Sequence, residues 1–152
     1  MKIENTFTVA APRERVWRFI DSPEQVAVCV PGCESVQTLA EGLYRALIRA
    51  KVGPVKTEFT VDITVIGQQP PDFAEYETNG TEGGKASRLK AISRLTLVEV
   101  DALTTAVTYT SDVTIVGRLG KYGSGMMQKV ADRMGATTVE NIRAHLEADT
   151  GA

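Results

Sequence analysis

The chain has 152 residues, a formal net charge of −2, two cysteines and one histidine. That length suits one domain with its own hydrophobic core, without disulfides or a structural metal. The weak negative balance gives no reason to look for nucleic acid or an anionic membrane surface, and no run approaches the roughly 20 apolar residues of a membrane span.

The opening MKIENTFTVAAP lacks the apolar centre of a secretory signal, so a cytoplasmic location is expected. Within it Ile3, Asn5, Phe7 and Val9 alternate with Lys2, Glu4, Thr6 and Thr8, which predicts a half-buried strand. Pro12 fits the first turn of a helix, and Val16, Phe19 and Ile20 follow at helical spacing with Trp17 beside them. Trp17 either completes the core or caps a pocket. Asp21 and Ser22 stop that helix, and Ser22-Pro23 opens a second as N-cap and first turn. Cys29 and Cys33 flank the Pro31-Gly32 turn; with His145 far along the chain they lack the ligands of a metal site, and their spacing is not C-x-x-C.

Strands then dominate. Tyr44, Ala46, Ile48, Ala50 and Val52 alternate with basic residues, and Gly53-Pro54 turns the chain. Val55, Thr57, Phe59, Val61, Ile63 and Val65 share the next apolar face, with Glu58 and Asp62 opposite. GQQPPD is a turn, residues 73–78 a shorter strand, and NGTEGG another turn. Leu89, Ala91, Leu95 and Leu97, then Val107, Tyr109, Val113 and Ile115, mark two more strands, and Asp112 falls on the wet face. GRLGKYGSG reads as a flexible loop. From Met126 the period becomes helical, with Met127, Val130, Met134, Thr138, Ile142 and Leu146 about a turn apart over some 20 residues.

The order is strand, two short helices, six strands, long helix. This predicts an α+β fold in which a strongly curved antiparallel sheet of about seven strands wraps a long C-terminal helix. The domain spans residues 1–147, with a polar tail at 148–152. A sheet with one dry face must bury it, and the last helix is the element long enough to do so. One helix does not fill a strongly curved sheet, so a cavity is expected between the two. Parity and the helical stripe choose its lining as Ile48, Phe59, Val61, Ile63, Leu89, Leu95, Val107, Tyr109, Met127, Val130 and Met134.

No catalytic residue is assigned. A lone His145 near a helix end cannot complete a Ser-His-Asp or Cys-His set, and Gly120-Lys121 is followed by Tyr122 rather than the Ser or Thr of a phosphate loop. Tyr44 and Tyr109 share the dry face, where a buried tyrosine ordinarily needs one hydrogen-bond partner. Arg45, Arg49, Lys51, Arg88, Lys90 and Arg94 form basic outer faces, read first as solvated sheet surface.

The stretches FTVAAPRERVWRFIDSPEQVAVCVPGCESV, YRALIRAKVGPVKTEFTVDITV, PPDFAEYETNG and VTIVGRLGKYGSGMM carry a resemblance. Together they resemble the CoxG family, named for a component of carbon monoxide dehydrogenase. That family lies within the helix-grip (SRPBCC, START-like) superfamily of START lipid-transfer domains, the birch-pollen allergen and polyketide cyclases. The resemblance covers roughly residues 1–146. It implies a quinone in the apolar cavity; with no catalytic set or metal ligands among the residues, the expectation is non-enzymatic binding of an apolar ligand, such as a quinone, another isoprenoid or a lipid, with no cofactor or metal. It also implies service to a molybdenum hydroxylase of the carbon monoxide dehydrogenase type, as accessory or membrane-recruitment protein. Many members carry a C-terminal extension that reaches the membrane. With the sequence ending at Ala152, the expectation is peripheral contact with the inner face of the cytoplasmic membrane and no anchor in this chain. The alternatives are an assembly factor with an incidental cavity, and a cyclase- or hydratase-like enzyme, which needs an acid pointing inward beside Tyr109.

Overall fold

The period-two stretches fold into one antiparallel sheet in the computed structural model of the chain, which describes residues 1–148. β1 (Lys2–Val9) leads into two short helices, α1 (Arg13–Ile20) and α2 (Pro23–Ala27). Six strands follow: β2 (Cys33–Ala40), β3 (Leu43–Val52), β4 (Val55–Gln69), β5 (Phe73–Glu82), β6 (Ser87–Asp101) and β7 (Thr104–Gly117). A 3-10 turn at Arg118–Tyr122 leads into α3 (Gly123–Ala148). The sheet order is β1-β7-β6-β5-β4-β3-β2: a meander from β2 to β7, with β1 added at the β7 edge. The expected fold class, a curved antiparallel sheet gripping a long C-terminal helix, is the observed one.

The helix of 26 residues is longer than expected and starts before Met126, because the glycine-rich segment is itself a 3-10 turn and the first turn of α3. At 1.5 Å per residue it extends about 39 Å. Pro12 precedes α1 instead of entering its first turn; its carbonyl accepts from the N–H groups of Arg15 and Val16. Ser22 takes the N-cap position of α2 through its backbone carbonyl, and its hydroxyl makes no capping bond. At Pro31-Gly32 the chain lies on the backbone of β3. The Arg49 N–H donates to the Gly32 carbonyl at 2.8 Å, and a Cβ on Gly32 (φ +82°) would stand 1.9 Å from the Arg49 oxygen. Only glycine fits there. Of the expected tail at 148–152, Ala148 ends α3 and the rest lies outside the described residues.

The largest departure concerns NGTEGG. Residues 79–82 are not turn but the end of β5, and the register Phe59↔Glu82 and Val61↔Gly80 turns Glu82 to the dry face. Its side chain is 3% exposed. The carboxylate accepts from the Arg118 Nε at 3.1 Å and from the Thr57 hydroxyl, and it also bonds Ser87, whose Oγ accepts the Leu119 N–H at 3.0 Å. One buried carboxylate thus ties β4, β5, β6 and the turn that starts α3. Leu119, fully buried, plugs the same corner.

The Arg118 hydrogen bond holds the Glu82 carboxyl at about 2, against an ordinary value of 4.5; burial opposes this, and Thr57, Ser87 and the Arg118 charge add to it. A lowered carboxylate contributes stability that is complete above the unfolded value and disappears as pH falls through the folded one. Urea unfolding of the wild type should therefore weaken between pH 4.5 and about 2. Glu82→Gln should cost about 1–2 kcal/mol at pH 7 and flatten that acid limb.

Candidate functional site

Because side chains alternate, the register divides the concave face into transverse rows that cross the sheet. At the end nearest α1 the row Leu97–Val107–Phe7 is apolar. It belongs to a cluster with Val9, Val16, Trp17, Phe19, Cys29, Ala74, Leu95, Ile142 and Leu146, in which α1 meets the C-terminal end of α3. Trp17, 8% exposed, is part of this core. At the opposite end the row Ala46–Val61–Gly80–Leu89–Ile115 is again apolar. It packs with Ile48, Phe59, Ile63, Met126, Met127, Val130 and Met134 against the N-terminal half of α3.

Three rows lie between the apolar ends, sharing Ala74, Leu95 and Tyr76 with the first cluster and Ile63 with the second. They read Ala74–Leu95–Tyr109–Asn5, Val65–Tyr76–Ser93–Ser111–Ile3 and Tyr44–Ile63–Thr78–Ala91–Val113. Here the face is mixed. Ser93 and Ser111 are buried and share a hydrogen bond of 2.9 Å, and the Tyr109 hydroxyl donates to Ser93 at 3.2 Å. Tyr44, Ile63, Tyr76, Thr78, Leu95 and Tyr109 are only half-buried although they point into the grip from mid-strand. Above them α3 presents small residues. Thr138 turns its hydroxyl back to the Met134 carbonyl at 2.7 Å, and a Cβ on Gly135 would lie 2.9 Å from the Asn5 amide nitrogen. Between the two clusters Gly135 lets α3 approach β1 closely.

Every residue expected to line a cavity lies on the concave face or on the α3 stripe that meets it. They do not form one surface. Leu95 and Val107 belong to the α1 end; Ile48, Phe59, Val61, Ile63, Leu89, Met127, Val130 and Met134 belong to the other; Tyr109 stands between. Phe59, Val61, Val107 and Val130 are buried as packed core. Residues missing from that set are Tyr76, Ser93, Ser111 and Thr78, together with Asn5 and Tyr44, which the alternation puts on the face without giving them a role. A cleft of ≈ 220 Å³ opens at the rim, where β7 runs past β1; Met1, Val113, Ile115, Gly120, Gly123 and Met127 line it.

Other candidates lie elsewhere. His145 is exposed, its Nε2 3.3 Å from the Gln25 Oε1 and its ring 5.0 Å from that of Phe19. Burial pushes the Cys29 and Cys33 thiols up, which disfavours the reactive thiolate. On the convex face Arg45 pairs with Asp62, Arg49 with Glu58 and Glu34, and Arg94 with Glu75, so cross-strand acids neutralise much of the basic surface. Glu58 and Asp62 thus point outward, as their parity requires. Among the described residues no helix is long and apolar enough to cross a membrane.

Residues 6–147 match the family model of CoxG, a carbon monoxide dehydrogenase subunit. The chain belongs to the CoxG family. No curated protein matches it significantly. A conserved protein from Geobacillus kaustophilus superimposes with a TM-score of 0.89 at 22% identity, over 97% of this chain and 96% of that one. A START superfamily protein from Mycobacterium smegmatis gives 0.73 at 15% identity, over 97% of each chain. The Zhui aromatase/cyclase from Streptomyces sp. R1128 gives 0.72 at 19% identity, over 97% and 93%. At these identities the likeness is one of fold: this CoxG-family chain shares the START-like grip.

The Gly135–Asn5 contact is open to a double-mutant cycle. Gly135→Ala alone should be neutral within about 0.5 kcal/mol, since about 1 kcal/mol of helix propensity is offset by displacing the Asn5 amide. In an Asn5→Ala background the same change should stabilise by about 1 kcal/mol in urea denaturation.

Proposed function

We propose that this CoxG-family chain binds an apolar small molecule between the sheet and α3, with no chemistry of its own. A quinone, another isoprenoid or a lipid is the class intended. The lining comes from Ile63, Leu95, Tyr109 and Met134 among the residues chosen from the sequence, with the packed members of that set behind them. The observation that carries this reading is the row of half-buried apolar and phenolic side chains at mid-sheet, under the smallest residues of α3. Mid-strand residues on the concave face of a fully packed grip would be sealed like Leu97 and Val107, each 2% exposed. Covering such a surface favours binding by about 25 cal/mol per Å² of apolar area. The family match supports a role beside a molybdenum hydroxylase of the carbon monoxide dehydrogenase type, as accessory or recruitment protein at the inner face of the membrane.

The aromatase/cyclase among the fold relatives keeps an enzymatic reading in view. That reading needs an inward acid beside Tyr109. Asp21, exposed at the end of α1, is near enough to Tyr76 to raise its phenol, and the acid turned inward from the sheet is Glu82, which is committed to Arg118 and Thr57. It lies level with Ser87, which pairs with Gly117, so the strand distance from Tyr109 is about 25 Å at 3.3 Å per residue. Binding without catalysis is the better supported use of the fold.

Organic extraction of the purified protein followed by mass spectrometry should recover an apolar compound, and the stripped protein should bind menadione in a fluorescence titration that reads Trp17. Recovery of nothing, with no quinone binding, would leave an assembly factor with an incidental hollow. Co-purification with a molybdenum hydroxylase would test the partner independently.

A further inference from the structure

We infer that the tip of the β3–β4 hairpin, with the N-terminal half of α3 beside it, is a docking surface for an anionic bilayer, carried by Lys51, Lys56, Lys129 and Arg133. This rests on the recruitment reading given above and deepens it by naming the surface that makes the contact. It is independent of what the grip binds.

Over much of the convex face the register sets opposite charges against each other: Arg45 faces Asp62, Arg49 faces Glu58 and Arg94 faces Glu75. Beside the turn of the β3–β4 hairpin it sets Lys51 against Lys56 instead. Like charges directly opposite on neighbouring strands oppose the pairing. The helix repeats the pattern: Lys129 and Arg133 are exposed and four residues apart, where like charges again destabilise. The fold then brings the two pairs together. The Arg133 Nη2 donates to the Lys51 carbonyl at 3.3 Å, and a Cβ on Gly53 would stand 3.1 Å from the Met126 Sδ. Among the described residues none of the four cations has an ion-pair partner. Of the acids near them in the chain, Glu58 holds Arg49, and Asp132 accepts from the Gln128 amide at 2.9 Å. α3 begins in the same corner, so the positive end of its dipole adds to the field there.

Uncompensated cations gathered at one tip work against folding, and a surface of lipid phosphates relieves their repulsion. Three of the four are lysines, point charges on flexible stems that suit a diffuse anionic surface better than a single carboxylate. They stand on both sides of a protruding turn. Lys51 and Lys56 alternate onto the convex side of the sheet, and Lys129 and Arg133 lie on the helix that packs against the other side. Between them the exposed Gly53-Pro54 turn carries no charge. A broad surface meets all four cations at once, whereas an acidic protein would need acidic walls on either side of the turn. The net charge of −2 conceals this tip. The rest of the chain is net negative, so an anionic surface attracts the tip and repels the remainder, which orients the molecule.

The test is sedimentation of the purified chain with large vesicles of phosphatidylcholine, alone or with about one-third phosphatidylglycerol. Wild type should sediment with the anionic vesicles at about 0.05 M salt, be released at about 0.5 M, and ignore the neutral ones. Lys51→Gln/Lys56→Gln and Lys129→Gln/Arg133→Gln should each weaken the partitioning roughly 10- to 30-fold. Lys90→Gln, a convex-face cation away from the tip, should stay within about two-fold of wild type. Lys56→Glu separates docking from folding: it turns the like pair into an opposite pair, so Tm should hold or rise while vesicle binding falls at least about 10-fold. No binding to the anionic vesicles, equal binding to the neutral ones, or the same loss with Lys90→Gln overturns the proposal. Retention on immobilised polyglutamate through the same four residues, without vesicle binding, also overturns it and makes the tip a site for an acidic protein. The menadione titration and co-purification with a hydroxylase read the roles proposed above separately, so either can fail while the vesicle result stands.

Discussion

An antiparallel sheet of seven strands with one dry face can bury that face on a single helix only by curling around it. The rest of the molecule follows from that constraint. Curling leaves a concave surface wider than one helix, so α3 is held at two places, by the cluster with α1 and by the cluster at its own N-terminal half. Between the two, Gly135 brings α3 close to Asn5 on β1, over the mixed rows that carry Tyr109, Ser93 and Ser111.

The corner at Glu82 sets where the helix begins. A buried carboxylate is costly unless fully paired, and this one is satisfied by Arg118, Thr57 and Ser87. Removing any partner would leave the charge exposed to a low-dielectric neighbourhood. The turn that carries Arg118 and Leu119 is thereby fixed to three strands, and α3 leaves it in one direction across the sheet. Glu82, though turned inward, is thus a structural lock at one end of the sheet.

Much of this is legible in one dimension. The alternation of Tyr44 to Val52 and Val55 to Val65 fixes a hairpin and its dry face. The stripe from Met127 to Leu146 identifies the helix that covers it. β2 is less visible, because an edge strand with mostly exposed residues shows no alternation. The end of β5 is hidden by its glycines, which read as a turn; Gly80 is there because a Cβ would come 2.9 Å from Val61. The mixed rows leave a faint trace: the dry-face patterns of β6 and β7 each skip one position, Ser93 and Ser111. Each gap alone looks like an imperfection in an apolar run. Paired across the sheet they satisfy each other.

The order of residues along the chain settles the period of every long element, and hence the fold class, the face each strand buries and the helix that covers it. These depend on neighbours two or four residues apart. Which polar groups meet is settled in three dimensions. The folded chain places Tyr44 near Tyr76, Ser93 against Ser111, Glu82 against Arg118 and Gly135 over Asn5. Such meetings depend on strand register and on where a helix crosses a curved sheet, and neither is written in the periodicity of any single segment.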